Sequence, residues 1–152
     1  MFAAIEAFLK QKGISYRHIH HPPTRTSEES AKVRNEPLKI GSKALLLKVG
    51  KEFRLFVLSA ELKINSAAIR AYFGEKSIRF ASAEELKKLT GLEPGAIPPF
   101  GRPILPFPIY VDPSILENEL IAFNAGSLTD SIIMDIKDYR DAAKPKMFEF
   151  AN

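Results

Sequence analysis

Lys43 heads the apolar run SKALLLKV and is the side chain of this sequence best placed to do chemistry. Alternate residues of a strand share a face, which puts Lys43 with Leu45, Leu47 and Val49 and leaves Lys48 with Ala44 and Leu46. A cation at the start of an inward-facing apolar row sits at the rim of a core or the mouth of a cavity. There it can hold a phosphate or polarise a carbonyl. The structural alternative is a stem lying along the sheet edge with its ammonium in water.

A second feature is the segment GLEPGAIPPFG, residues 91–101. Gly91, Pro94, Gly95, Pro98, Pro99 and Gly101 crowd into it, with Ala96, Ile97 and Phe100 as apolar members. Pro98 and Pro99 have nearly fixed φ and no N–H, so they stiffen the loop. Gly95 and Gly101 tolerate unusual dihedrals and expose backbone donors. Such a loop is either a preorganised wall offering N–H groups to a carbonyl or oxyanion, or a rigid connector over a sheet.

Other polar residues carry weaker signals. Asp112 follows IYV and precedes Pro113, either as a turn or cap residue or as a strand-end group facing a pocket. Ser127, in NAGS, is outside any Gly-x-Ser-x-Gly elbow and reads as a turn residue, although Gly126 beside it lets a ligand approach the backbone closely. His18, His20 and His21 cluster, but zinc sites need three or four ligands and no carboxylate lies in that strand. They are expected to be hydrogen-bonding surface histidines, with no metal.

These residues need elements to position them. FAAIEAFLKQKG is an amphipathic helix, ISYRHIHH a strand, and TSEESAKVRN a short helix capped by Thr26 or Ser27. SKALLLKVGKEFRLFVLSA predicts a hairpin turning at Gly50-Lys51, with both faces apolar as in central strands. Helices follow from Asn65 to Gly74 and from Ser82 to Gly91, with the short strand SIRFAS between them. PIYVD, LIAFNAG and SIIMDI read as strands, and KDYRDAAKP as a closing helix before a frayed end. The irregular order predicts one α/β (α+β) domain over residues 1–152. Its sheet is mixed, curved, roughly six-stranded or partly closed into a barrel, with flanking helices.

The totals agree with a small globular chain. There is no cysteine, which excludes disulfides, thiolate metal sites and thiol nucleophiles. The start carries Glu6 and Lys10 within its apolar stretch, unlike a secretory signal, and no apolar run reaches about 18 residues. The expectation is a cytoplasmic protein. Residues 1–80 hold 15 basic and 7 acidic side chains, a balance of +8, while residues 81–152 hold 7 and 11, a balance of −4. Such asymmetry suits a polyanion-binding face or a solvated lysine-rich surface. Neither GxGxxG nor a Walker motif is present.

Taken in order, HHPPTRTSEESA, IGSKALLLKV, LTGLEPGAIPPFG, IYVD and IAFNAGS resemble the YbaK/ProX family, free-standing relatives of the bacterial prolyl-tRNA synthetase editing (insertion) domain. The resemblance implies a trans-acting deacylase that hydrolyses the ester of mischarged tRNA. It implies that Lys43 is the functional lysine, and that Gly95 and Pro99 frame a Gly-x-x-x-Pro loop, with Ala96, Ile97 and Pro98 inside it, contacting the aminoacyl group. Thr26 matches a threonine of the loop before the second helix, and Asp112, Gly126 and Ser127 fall in strand ends lining the same pocket. tRNA is the implied partner and a synthetase a further candidate, with no cofactor, membrane or DNA. Three positions depart from the family: Ala44 where threonine or serine is common, Ala96 where glycine is, and Ser30 where alanine is; the first two are expected to touch the pocket. Two other readings stay open: a non-catalytic module binding a tRNA end or a synthetase, and a hydrolase of another small acyl ester.

Overall fold

Helix α1 (Phe2–Gln11) buries Ile5 and Leu9 through its apolar face. Each later helix begins at a capping side chain. Thr26, Asn65, Ser82 and Asp135 accept first-turn backbone N–H groups and open α2 (Ser27–Arg34), α3 (Ser66–Phe73), α4 (Ala83–Thr90) and α5 (Ile136–Ala143). Gly74 and Gly91 then end α3 and α4 in the left-handed conformation. These elements are drawn from a computed structural model that describes residues 1–152.

The strands are β1 (Arg17–His20), β2 (Ser42–Val49), β3 (Glu52–Ser59), β4 (Ile78–Phe80), β5 (Ile109–Val111), β6 (Leu120–Asn124), β7 (Asp130–Asp135) and β8 (Lys146–Met147). β2 and β3 form the expected hairpin, with Val49 opposite Glu52 across Gly50-Lys51. The class is the mixed α/β one expected, but eight strands are divided over two sheets. One has the order β1-β7-β6 and is antiparallel. The other has the order β4-β2-β3-β5-β8, antiparallel as far as β3 and parallel beyond it. A parallel bridge from Gly41 to Ala122 joins them at one corner. β8, two residues long, is too short to show any alternation in sequence.

The larger core lies between the sheets. Leu46, Leu55 and Val57 enter it from one sheet, Ile121, Phe123 and Ile132 from the other, and α1, α4 and α5 close its sides. A smaller core on the outer face of the five-stranded sheet holds Leu47, Val49, Phe56 and Leu58 beneath α3 and Phe150. β2 therefore has the two-sided burial expected of a central strand, and Lys43 heads the row that runs into the smaller core. The expected fraying of the last residues is corrected. Phe150 is fully buried, Ala151 bridges Ile64, and Asp112 Oδ1 accepts the N–H groups of Phe150 and Ala151 at 2.9 and 3.1 Å.

Candidate active site

Where the two sheets meet, the start of β2, the end of β6, α2 and the Gly/Pro loop enclose a cavity of about 190 Å³. Each wall has a local cause. Thr26 is fixed as the α2 cap, its Oγ1 accepting from Glu29 N at 3.1 Å. Gly95 has φ +90°, where a side chain would be strained. Ile97 turns its side chain into the larger core while bordering the cavity.

The charged residues of the lining are all cations. Arg25, Arg34 and Lys43 line the cavity, and no carboxylate or imidazole does. Lys43 is half-buried, and burial lowers its pKa below the usual 10.5; Glu28 opposes that shift and Lys63 adds to it. Such a wall offers charged donors to an oxygen acceptor but no ordinary general base.

Arg34 is the most constrained of the three cations. Its side chain ends 6% exposed, yet no carboxylate pairs with it. Nε donates to Ser131 Oγ at 2.8 Å and Nη2 to Asn124 Oδ1 at 3.1 Å. Ser131 Oγ also donates to Asn124 Oδ1 at 3.1 Å and pairs with His21 Nε2 at 2.8 Å. Burial pulls the guanidinium pKa down to about 10, still charged at neutral pH.

Of the residues singled out in sequence, Thr26, Lys43, Gly95 and Ile97 stand together on the cavity wall. Ala96, Pro98 and Pro99 are buried and do not line it, and the Pro99 carbonyl accepts from Tyr139 Oη at 2.6 Å. Asp112 lies elsewhere, capping the 3-10 turn Pro113–Glu117 as well as holding the chain end. Gly126 is covered by the Met1 side chain, and Ser127 Oγ donates to Asp130 Oδ2 at 3.0 Å on a surface turn. Asp130 Oδ1 also meets His18 Nε2 at 2.8 Å and His20 Nδ1 at 3.0 Å, so β7 supplies the carboxylate that the histidine strand lacks. His21 is buried, not a surface residue. Among the family departures, Ala44 and Ser30 reach the cavity and Ala96 does not.

The model of the aminoacyl-tRNA editing domain matches residues 21–142, which contain every wall of the cavity. The chain belongs to the aminoacyl-tRNA editing domain family. Over 150 residues it is 33% identical to the multifunctional Ser/Thr-tRNA deacylase ProXp-y of Escherichia coli (strain K12), covering 95% of this chain and 89% of that protein. Over 100 residues it is 33% identical to the prolyl-tRNA editing protein ProX of Acetoanaerobium sticklandii, covering 64% of this chain and 61% of that one. A crystal structure described as a candidate trans-editing enzyme for prolyl-tRNA synthetase superposes with a TM-score of 0.86 at 22% identity, covering 99% and 96% of the two chains, which shows the same fold. The expected editing-domain relationship and aminoacyl-tRNA hydrolase activity are thus supported. No helix is long and apolar enough to cross a membrane.

Sequence reasoning did not single out Arg34 or Asn124 for this editing-domain site. Arg34 sits in a polar helix whose pattern marks it as a solvated last-turn cation. Asn124 was visible within IAFNAGS, but its alternation on β6 does not reveal that its amide bridges two walls.

Proposed function

We propose that this protein hydrolyses the ester of a mischarged aminoacyl-tRNA in the cavity between its sheets, with Lys43 as the catalytic residue. The observation that carries this reading is the pairing of a carboxylate-free cationic wall with the stiff Gly95 loop. An aminoacyl ester is already activated, so its hydrolysis needs positioning and charge stabilisation more than a strong nucleophile. Water adds to the carbonyl carbon, the π pair moves to the carbonyl oxygen, and the Lys43 ammonium holds that charge. Collapse expels the ribose oxygen, which takes up one of the two protons of the attacking water, and the amino acid leaves as a carboxylate, the other proton passing to solvent.

Thr26, Gly95 and Ile97 bound the aminoacyl group, while Ala96, Pro98 and Pro99 brace the loop from behind. Asp112, Gly126 and Ser127 support the surrounding structure. Seryl and threonyl esters are the first substrates to consider, given the relative named for them. The basic balance of residues 1–80 serves the tRNA, with salt-sensitive affinity. A synthetase is the candidate protein partner.

A panel of mischarged tRNAs tests this, with Lys43→Ala as control. Ester loss above buffer from at least one, slowed about 10²–10³-fold by the substitution in a folded protein, is the expected result. Salt-dependent tRNA binding without turnover selects a binding module instead. Turnover of free esters that added tRNA leaves unchanged selects a general esterase.

A further inference from the structure

We infer that Arg34 is a specificity-determining residue, presenting Nη1 at the floor of the cavity to a hydroxyl oxygen on the side chain of the esterified amino acid. This inference rests on the deacylase reading above. Its physical root is the state of the guanidinium. A buried charge needs compensation, and Arg34 meets only the neutral acceptors Ser131 and Asn124. Those two bonds occupy Nε and Nη2, the edge that grips a carboxylate side-on. Nη1 makes no hydrogen bond within the protein and is left to meet a single oxygen atom.

Gly41 supplies the second observation. Its φ of −67° and ψ of 144° suit any residue, so the glycine is not there for its conformation. A Cβ at this position would lie 3.1 Å from Leu38 O, 3.3 Å from Ala60 Cβ and 3.7 Å from Arg34 Nη1. Gly41 and Ala60 both line the cavity, so two small residues keep space open beside the unpaired nitrogen.

Depth assigns the ligand atom. Arg25 at the mouth has a side chain 65% exposed, Lys43 is half-buried, and Arg34 lies deepest. A tRNA end enters from solvent, so its ester meets Lys43 and the amino-acid side chain travels further, towards Arg34. A site built to hydrogen-bond a substrate hydroxyl rejects the analogue lacking it far more strongly than an apolar pocket rejects a missing methylene. Alanine in this pocket would leave Nη1 buried without an acceptor.

The test uses non-hydrolysable amide analogues, 3′-seryl-, 3′-alanyl- and 3′-aspartylamino-3′-deoxyadenosine, titrated calorimetrically into the whole protein. Wild type is expected to bind the seryl analogue at least ~10-fold more tightly than the alanyl one, and Arg34→Met to reduce that ratio to about one. Circular dichroism confirms folding, and Arg34→Lys, which keeps the charge but loses the fork, serves if Arg34→Met does not fold; it too is expected to lose most of the ratio. A seryl preference below about 3-fold in wild type, an equal loss for both analogues on substitution, or tightest binding of the aspartyl analogue each overturns the inference while sparing the deacylase reading. Binding of none of the three by wild type overturns both.

Discussion

The side-chain amide of Asn124 donates to the carbonyl oxygen of Gly95 at 2.8 Å, tying the end of β6 to the Gly/Pro loop in the cavity wall. The same side chain accepts from Arg34 Nη2. Asn124→Leu keeps the approximate volume and removes these two bonds together with the one accepted from Ser131 Oγ, leaving a buried guanidinium short of an acceptor. Unfolding free energy should fall by roughly 1–3 kcal/mol, read from urea denaturation. Deacylation should fall further than the folded fraction does, because the loop loses its tether. Unchanged turnover per folded molecule would show that the tether does not position the loop.

Lys43→Ala should cost about 10²–10³ in rate, the scale of losing one oxyanion donor, with little change in melting temperature. The pH dependence has a definite sign. Burial lowers the folded-state pKa below 10.5, so between that lowered value and 10.5 the unfolded chain binds more protons than the folded one. Stability from this group therefore rises with pH across that interval, while activity that needs the ammonium falls. The rate in excess of Lys43→Ala, which removes the background alkaline hydrolysis, should decline before an ordinary lysine would titrate. Lys43→Arg should lack this decline.

Asp112 is 4% exposed and accepts backbone N–H groups from Ser114, Phe150 and Ala151. Asp112→Ala strips all three and should destabilise the fold by about 2–4 kcal/mol. Turnover per folded molecule, measured well below the melting temperature, should stay within about twofold, because the residue lies outside the cavity.

Burial raises the Asp130 pKa, but hydrogen bonds from His20, His18, Ser127 and Thr129 outweigh it and hold the carboxyl well below its ordinary 3.8. The stabilisation is present above pH 3.8 and is lost as pH falls towards the lowered folded value. Asp130→Asn should thus be less stable than wild type near neutrality and converge on it in acid. Parallel stability curves across pH 2–7 would contradict that role.

What could be read in advance followed local rules. The caps at Thr26, Asn65 and Ser82, the Gly50-Lys51 turn and the two-sided burial of β2 each depend on residues within a few positions of one another. The partition into two sheets does not, because alternation locates β6 and β7 without choosing β1 as their neighbour. The same limit governs the site. Lys43 and Gly95 stood out through spacing and residue type. Arg34 and Asn124 are 90 residues apart and acquire their meaning only from each other.

The cavity draws its opposite walls from different sheets, and these are joined by backbone pairing only at the corner where Gly41 meets Ala122. Away from that corner the sheets are held apart by packed side chains such as Leu46, Val57, Phe123 and Ile132, none of which lines the cavity. Enlarging or trimming those side chains is expected to change the room in the cavity without altering a single residue that lines it, so on the proposed reading substrate choice would be open to change from the interior.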